Sequence, residues 1–167
     1  RVDRGWLRRA HYGVYVVGAL ESELTAPTAA LAAYGRNAIL SHRTAAVLWR
    51  LLPARPVDPV DVTLLNANRR PRPGVRIHYA QAAQTRRRHG LRLTSPAQTL
   101  ADLPPAELAH AYNEALVLNL ITHQEVRAAI NAGNQETGGA VLTLGEAELM
   151  VRSSGYLGSI ADFQAIP

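Results

Sequence analysis

Three clusters of arginine are the residues whose type and spacing point most directly to chemistry. The clusters are Arg8 and Arg9, then Arg69, Arg70 and Arg72, then Arg86, Arg87 and Arg88. A guanidinium group binds a phosphate through two parallel hydrogen bonds, and donors on loops give affinity for a nucleic-acid backbone without reading its sequence. One cluster alone is as consistent with a solvated turn, but three in the first hundred residues favour phosphate contact. The sequence therefore predicts a DNA-binding surface built from these eight arginines.

The charge of the chain is strongly polarised along its length. All 18 basic residues are arginine, and the formal net charge is +5. Residues 1–100 carry +11 and residues 101–167 carry −6. Such polarity suits a protein that turns one face towards nucleic acid and another towards a different partner. The acids Glu107, Glu114 and Glu125 are the predicted surface for a protein partner such as a basic toxin.

Signals for catalysis or for a dedicated metal site are weak. The six histidines include no pair at the i, i+4 spacing of a helical zinc motif, and cysteine is absent. No Gly-x-Ser-x-Gly elbow is present, and a chain without lysine has no phosphate-binding loop of the Walker type. Acid pairs such as Asp58 and Asp61 could hold a divalent ion, although neighbouring acids are more often solvated. The sequence predicts no cofactor, no metal and no enzyme activity for this chain.

Length and composition fit one ordinary domain, or one domain with fragments of two others at its ends. The chain has 167 residues, of which 47% are hydrophobic, and no apolar run is long enough to cross a bilayer. No apolar segment of the kind found in signal peptides follows the first residues, and the absence of cysteine fits a reducing compartment. We therefore expect a cytoplasmic protein without a membrane partner.

Periodicity predicts an α/β (α+β) fold, with a small antiparallel or mixed sheet packed by four to five helices. Residues 7–18 are predicted to form a hairpin of two strands. Further strands are predicted at 38–40, 60–65, 75–79 and 90–94, and helices at 25–34, at 42 to about 52, after Pro104, and after capping boxes at Ser95 and Thr122. Ser41 is the predicted N-cap of the helix that begins at His42. The segments 66–74 and 81–89 are predicted to be arginine-rich loops, and 131–139 a linker.

Several of these segments together resemble the AbiEi antitoxin family. Leu7–Tyr15 is similar to the wing hairpin that closes the family's winged helix-turn-helix, and Ala38–Trp49 to the motif that opens its second domain. Val60–Thr63 with Gly74–His78 resembles the family's paired strands, and Thr94–Leu103 the segment before its closing helices. The resemblance covers about residues 6–131.

The resemblance implies a DNA-associated transcriptional regulator or antitoxin of a type IV toxin–antitoxin system, with a partner toxin that resembles a nucleotidyltransferase. In that family the winged helix represses the antitoxin's own operon, and the following domain supports DNA binding and neutralisation. The implied division is a remnant wing hairpin at 1–20, an AbiEi-like α/β domain at 21–131, and at 132–167 a linker and a candidate start of a nuclease-like domain. Because the recognition helix is not in this sequence, we expect an upstream helical unit.

An alternative from the enzyme class comes from the end of the chain. Many actinobacterial relatives in this family continue into a Vsr-like endonuclease domain of the PD-(D/E)xK class, and residues 144–149 and 155–163 resemble its first helix and first metal-binding strand. The resemblance makes Glu148 the helical acid and Asp162 the first metal ligand. Since that mechanism also needs a later acid and a lysine, the alternative is a truncated or degenerate endonuclease that is inactive as this chain. A structural connector without a ligand of its own is a third reading.

Overall fold

The computed structural model describes residues 7–18, 22–55 and 58–136. Within these residues the strands are β1 (Leu7–His11), β2 (Val14–Val17), β3 (Ala38–Leu40), β4 (Val60–Leu65), β5 (Val75–Ala80), β6 (Thr85–Arg88) and β7 (Leu91–Thr94). The helices are α1 (Thr25–Tyr34), α2 (His42–Trp49), α3 (Pro96–Ala101), α4 (Pro105–Val117) and α5 (His123–Glu136). No helix in the described ranges is both long and apolar enough to cross a membrane.

The strands form a two-stranded hairpin, β1–β2, and a five-stranded mixed sheet in the order β5-β4-β3-β7-β6. Strand β3 pairs antiparallel with β4 and parallel with β7, and β4 pairs parallel with β5. The prediction of a mixed α/β architecture with a small sheet is therefore confirmed. The hairpin lies where it is predicted, and its identity as the wing of a winged helix stays a prediction.

The central strands are buried on both faces, and the two faces differ in chemistry. Residues paired across neighbouring strands point to the same side of a sheet, and successive residues point to opposite sides. Leu40, Val62 and Leu93 therefore share one side, where they join one apolar core with α1 to α4. Asp61 and Thr63 point to the other side, although both are buried. The helices cover the apolar face, and the opposite face carries the buried polar side chains of Asp61 and Thr63.

Helix α2 is shorter than the sequence predicts, and Ser41 does not cap it as predicted. The prediction extends the helix to about Leu52, but it ends at Trp49 because Arg50 adopts a left-handed conformation with φ of 67°. The N–H of Arg50 then bonds to carbonyls of the preceding turn, which closes the helix. Ser41 occupies the N-cap position, yet its hydroxyl makes no capping bond to the helix backbone.

The predicted loop 81–89 contains an edge strand that the sequence does not reveal. Strand β6 pairs antiparallel with β7, from Thr85 opposite Thr94 to Arg88 opposite Leu91. Its residues, Thr-Arg-Arg-Arg, include no apolar side chain, so they show no alternation from which a strand could be predicted. A charged edge strand of this kind also discourages pairing with another sheet. Helix α5 likewise continues to Glu136, through most of the predicted linker 131–139.

The two predicted capping boxes are realised to different degrees. Ser95 Oγ accepts from the backbone N–H of Gln98 at 3.2 Å, but the Gln98 side chain bonds to Asp102 instead of closing the box. At the second box, Thr122 Oγ1 accepts from the N–H of Glu125 at 3.3 Å, and Glu125 accepts from the N–H of Thr122 at 2.8 Å. The second box is therefore complete and fixes the start of α5.

Removal of a buried side chain from the shared core should be costly. Leu93 is 0% exposed in a central strand, so Leu93→Ala should lower the free energy of unfolding by about 2–5 kcal/mol in urea denaturation. The control, Val117→Ala, removes a side chain that is 73% exposed and should change it by less than about 0.5 kcal/mol. Equal effects of the two substitutions would contradict the placement of the core.

Candidate functional site

The second predicted arginine cluster contacts the hairpin that carries the first cluster. Arg72 donates from Nη1 to the backbone oxygen of Tyr12 at the hairpin tip, 3.1 Å away and 60 residues apart in sequence. The same guanidinium lies 5.5 Å from the centre of the Tyr34 ring, and the Arg9 guanidinium lies 5.4 Å from that of Tyr12. These contacts join the hairpin to the connection between β4 and β5. We call Arg9, Arg69, Arg70 and Arg72 the arginine surface; Arg8, the neighbour of Arg9 in β1, points to the other side of the hairpin.

Two tyrosines hold the backbone of this connection in place. Tyr34 Oη donates to the carbonyl of Arg70 at 3.3 Å, and Tyr79 Oη donates to that of Arg69 at 3.4 Å. The side chains of Arg69 and Arg70 are exposed. Burial, and then the nearby charge of Arg72, lower the pKa of His11 in the hairpin. The surface therefore combines a fixed backbone with exposed cationic side chains.

The third predicted cluster does not belong to the arginine surface. Residues 86–88 form β6, at the opposite edge of the five-stranded sheet from β5 and about 19 Å away at four strand spacings. The Arg88 guanidinium lies over the Trp49 ring at 5.3 Å and is half-buried, while Arg86 and Arg87 are exposed. The eight predicted arginines therefore do not form a single surface.

Two of the three predicted partner-binding acids already have roles inside the chain. Glu107 forms ion pairs with Arg43 and with Arg55, the latter at 3.4 Å. Glu125 caps α5 through Thr122, as described above. Glu148 and Asp162, the acids of the endonuclease alternative, lie outside the described residues. A protein-binding role of the acidic half stays a prediction.

A polar cavity that the sequence analysis missed lies on the second face of the sheet. Its volume is about 630 Å³, and its lining includes His42, Thr63, His78, Gln98 and Asp102. These residues come from the start of α2, from β4 and β5, and from α3 with its C-terminal end. We call this space the polar cavity.

The buried carboxylate of Asp61 organises one wall of the polar cavity. Asp61 is 2% exposed, and its Oδ1 accepts from His78 Nε2 at 3.0 Å, with Arg76 Nη1 at 3.4 Å. The parallel register places Arg76 beside Asp61 and His78 beside Thr63, so both β5 side chains reach the same carboxylate. Because a carboxylate only accepts, the hydrogen of this contact is on His78 Nε2.

His42 is held against His78 in an unusual backbone conformation. The two imidazoles stack with centres 3.5 Å apart and planes 14° from parallel, while His42 has φ of 47° in the left-handed region. Thr63 Oγ1 donates to Ser41 Oγ at 2.7 Å, so the Ser41 hydrogen can go to His42 Nδ1, 3.0 Å away. Burial, with help from His78, lowers the pKa of His42 to about 4. His42 is therefore neutral at pH 7, and a hydrogen bond from Ser41 to Nδ1 would place its hydrogen on Nε2.

Asp102 is an acid that lines the polar cavity. Gln98 Nε2 donates to Asp102 Oδ1 at 2.9 Å. Burial raises the pKa of Asp102 to about 6, against the opposing effects of this hydrogen bond and of His78. The cavity thus offers a neutral imidazole and a carboxyl group that changes charge near neutral pH.

A sequence signal for this site exists in the strands themselves. Asp61 lies in a strand whose other residues, apart from Thr63, are apolar, and a buried polar residue is more informative than an exposed one. Among the residues described, no three His, Asp or Glu side chains are grouped as metal ligands. The arrangement is suited to hydrogen-bond recognition of a small polar molecule.

The opposite pKa shifts of His42 and Asp102 predict opposing effects of pH on stability. The pKa of His42 falls from 6.5 to about 4, so its contribution is present above pH 6.5 and is lost as pH falls towards 4. The pKa of Asp102 rises from 3.8 to about 6, so its contribution is present below pH 3.8 and is lost as pH rises through 6. Between pH 4 and 6 the two effects largely cancel.

Single substitutions should separate the two effects. As pH falls from 6 to 4, the free energy of unfolding of Asp102→Asn should fall relative to wild type, by up to about 1.4 kcal/mol per pH unit. That of His42→Gln should rise relative to wild type over the same range. Urea denaturation at pH 4, 5, 6 and 7 measures both. If the free energy of unfolding of both variants changed with pH in the same way as that of wild type, the pKa shifts assigned to His42 and Asp102 would be wrong.

Comparison with known proteins assigns no family. No protein-family model matches the chain, and no solved structure matches it. Short matches are found to the cation efflux system protein CusA of Escherichia coli K12 and to the putative cation efflux system protein SilA of Salmonella typhimurium, each 52% identical over 46 residues. Those residues are 28% of this chain, and the chain spans only 4% of these curated relatives. Matches of this extent do not bear on the arginine surface or the polar cavity.

Proposed function

We propose that this chain is a DNA-associated transcriptional regulator or antitoxin of a type IV toxin–antitoxin-like system, and that it contacts DNA through the arginine surface. The observation that carries the proposal is the bond from Arg72 to the carbonyl of Tyr12. That bond brings arginines of the hairpin and of the β4–β5 connection together. Contact with several neighbouring phosphates requires arginines that lie close together, because each phosphate that a protein neutralises adds to its affinity for DNA.

The charge of this surface is available to a ligand. No ion pair among the described residues includes Arg9, Arg69, Arg70 or Arg72. Arg72 uses one N–H for Tyr12, and a guanidinium has five N–H donors, so further donors remain for a phosphate. By contrast, the Arg43 charge is used internally, in ion pairs with Asp58 and Glu107.

The regulator and antitoxin part of the proposal has separate support. The segments that resemble the AbiEi family include the hairpin and the first strands of the sheet, which carry or adjoin the arginine surface. The acidic charge of residues 101–167 complements a basic partner protein. A toxin that resembles a nucleotidyltransferase is the partner we propose.

Binding of the chain to a labelled random duplex, followed by fluorescence anisotropy across a salt series, tests the DNA contact. If the chain contacts four phosphates, the logarithm of its association constant for DNA should fall linearly with the logarithm of the salt concentration, with a slope of about −3.6. Simultaneous Arg69→Ala, Arg70→Ala and Arg72→Ala should reduce the slope to about −1 and weaken binding at low salt, since three contacts are lost.

Two control variants locate the contact. Arg127→Ala removes an exposed arginine from α5 and should leave the slope unchanged. Simultaneous Arg86→Ala and Arg87→Ala alters the far edge of the sheet and should change the slope by less than about one unit. The proposal is wrong if the chain does not bind the duplex at low salt, or if the triple variant keeps the full slope.

A further inference from the structure

We propose that the polar cavity binds a nucleoside and recognises it through the hydrogen-bonding edge of its base. The cavity residues differ from those of the arginine surface, so this site does not depend on the proposed DNA contact. The argument uses the size of the cavity, the stacked imidazoles, the placement of donors and acceptors, and the charge of the lining.

The size and lining of the cavity fit a small polar molecule. Its volume of about 630 Å³ lies within the range of pockets that enclose small ligands and cofactors, about 300–1,000 Å³. Hydroxyl, amide, imidazole and carboxyl groups of Thr63, Gln98, His42 and Asp102 contribute to the walls. A molecule that offers both donors and acceptors can bond to such walls, whereas a hydrocarbon could not use their remaining donors and acceptors.

The paired imidazoles favour a planar ligand. His42 and His78 are stacked within 14° of parallel, and both line the cavity. A nucleobase can continue or flank such a stack, because every base has an aromatic face. The orientation of each ring is fixed by a residue outside the cavity lining. Asp61 Oδ1 accepts from His78, and Ser41 Oγ contacts Nδ1 of His42. The planar wall therefore exists before a ligand arrives.

The polar groups are of the types that read the edge of a base. Asp102 is a carboxyl acceptor for ring or amino N–H groups, while the second hydrogen of Gln98 Nε2, which the bond to Asp102 does not use, is a donor for a ring nitrogen or carbonyl oxygen. Enzymes that hold an extruded base use the same combination of edge hydrogen bonds and stacking.

The charge of the lining disfavours a phosphorylated ligand. Although the chain has 18 arginines, none is among the described residues that line the cavity, and the ionisable acid there is Asp102. A phosphate group would therefore meet a carboxylate and a neutral imidazole without a cation to stabilise it. Nucleosides should bind better than the corresponding 5′-monophosphates.

Isothermal titration calorimetry of the full chain with adenosine, guanosine, cytidine and uridine tests the site. We expect at least one nucleoside to bind with a Kd of about 1 mM or lower, and its 5′-monophosphate to bind more weakly. The affinity should increase from pH 5 to pH 7, because the pKa of Asp102 is about 6 and the ionised carboxylate is the better acceptor. Asp102→Asn should weaken binding about tenfold and remove this pH dependence.

Two further variants make the outcome decisive. Glu23→Gln makes the equivalent change at an exposed acid outside the cavity lining and should keep wild-type affinity. The triple arginine variant, with Arg69, Arg70 and Arg72 replaced by Ala, should also keep nucleoside affinity even where it loses the DNA duplex. The inference is overturned if no nucleoside binds below about 10 mM. It is equally overturned if Asp102→Asn binds like wild type while remaining folded by circular dichroism, or if the triple variant loses nucleoside binding.

Discussion

The buried carboxylate of Asp61 is the constraint on which the polar face of the sheet depends. A charge that is 2% exposed is tolerated only when it is paired and hydrogen-bonded, and strand alternation forces this residue away from the apolar face. His78 and Arg76 supply the compensation from β5, and the parallel register brings both within reach. A shift of one residue in that register would exchange the two faces of β5 and leave the carboxylate buried without these partners. Strand pairing and charge compensation therefore support each other.

The geometry of His42 follows from the same pairing. His78, held by Asp61, offers the ring on which His42 stacks, and Ser41 holds the other side of His42 through Nδ1. The stack on His78 and the contact with Ser41 together can hold the backbone of His42 in the left-handed region, although that conformation costs free energy. This arrangement also explains why Ser41 does not cap α2, because its hydroxyl is committed to Thr63 and His42. A local capping rule is overridden here by contacts from a distant strand.

The elements that could be predicted from the sequence are those whose local pattern is strong. Alternation identifies β4 and β5, and α1 occupies the predicted range 25–34, where Gly35 at φ of 80° follows its last residue. Strand β6 could not be predicted, because its pairing comes from β7 and not from its own residues. The arginine clusters were visible, but which of them meet depends on the bond from Arg72 to Tyr12. The polar cavity depends on the strand order β5-β4-β3-β7, a non-local property that periodicity does not contain.

The arginine surface and the polar cavity share one segment and have opposite electrostatic character. The β4–β5 connection begins at Asn66 in the cavity lining, where Asn66 Nδ2 donates to the Gln81 carbonyl at 2.7 Å, and then continues to Arg69. Tyr79 fixes the same stretch through the carbonyl of Arg69. A phosphate that approaches this region would be stabilised at the guanidinium groups and destabilised beside the carboxyl of Asp102. An uncharged base would gain little at the exposed arginines and more in the polar cavity, which offers hydrogen-bond partners for its edge. Charge, more than size, would therefore decide which of the two neighbouring sites a ligand occupies.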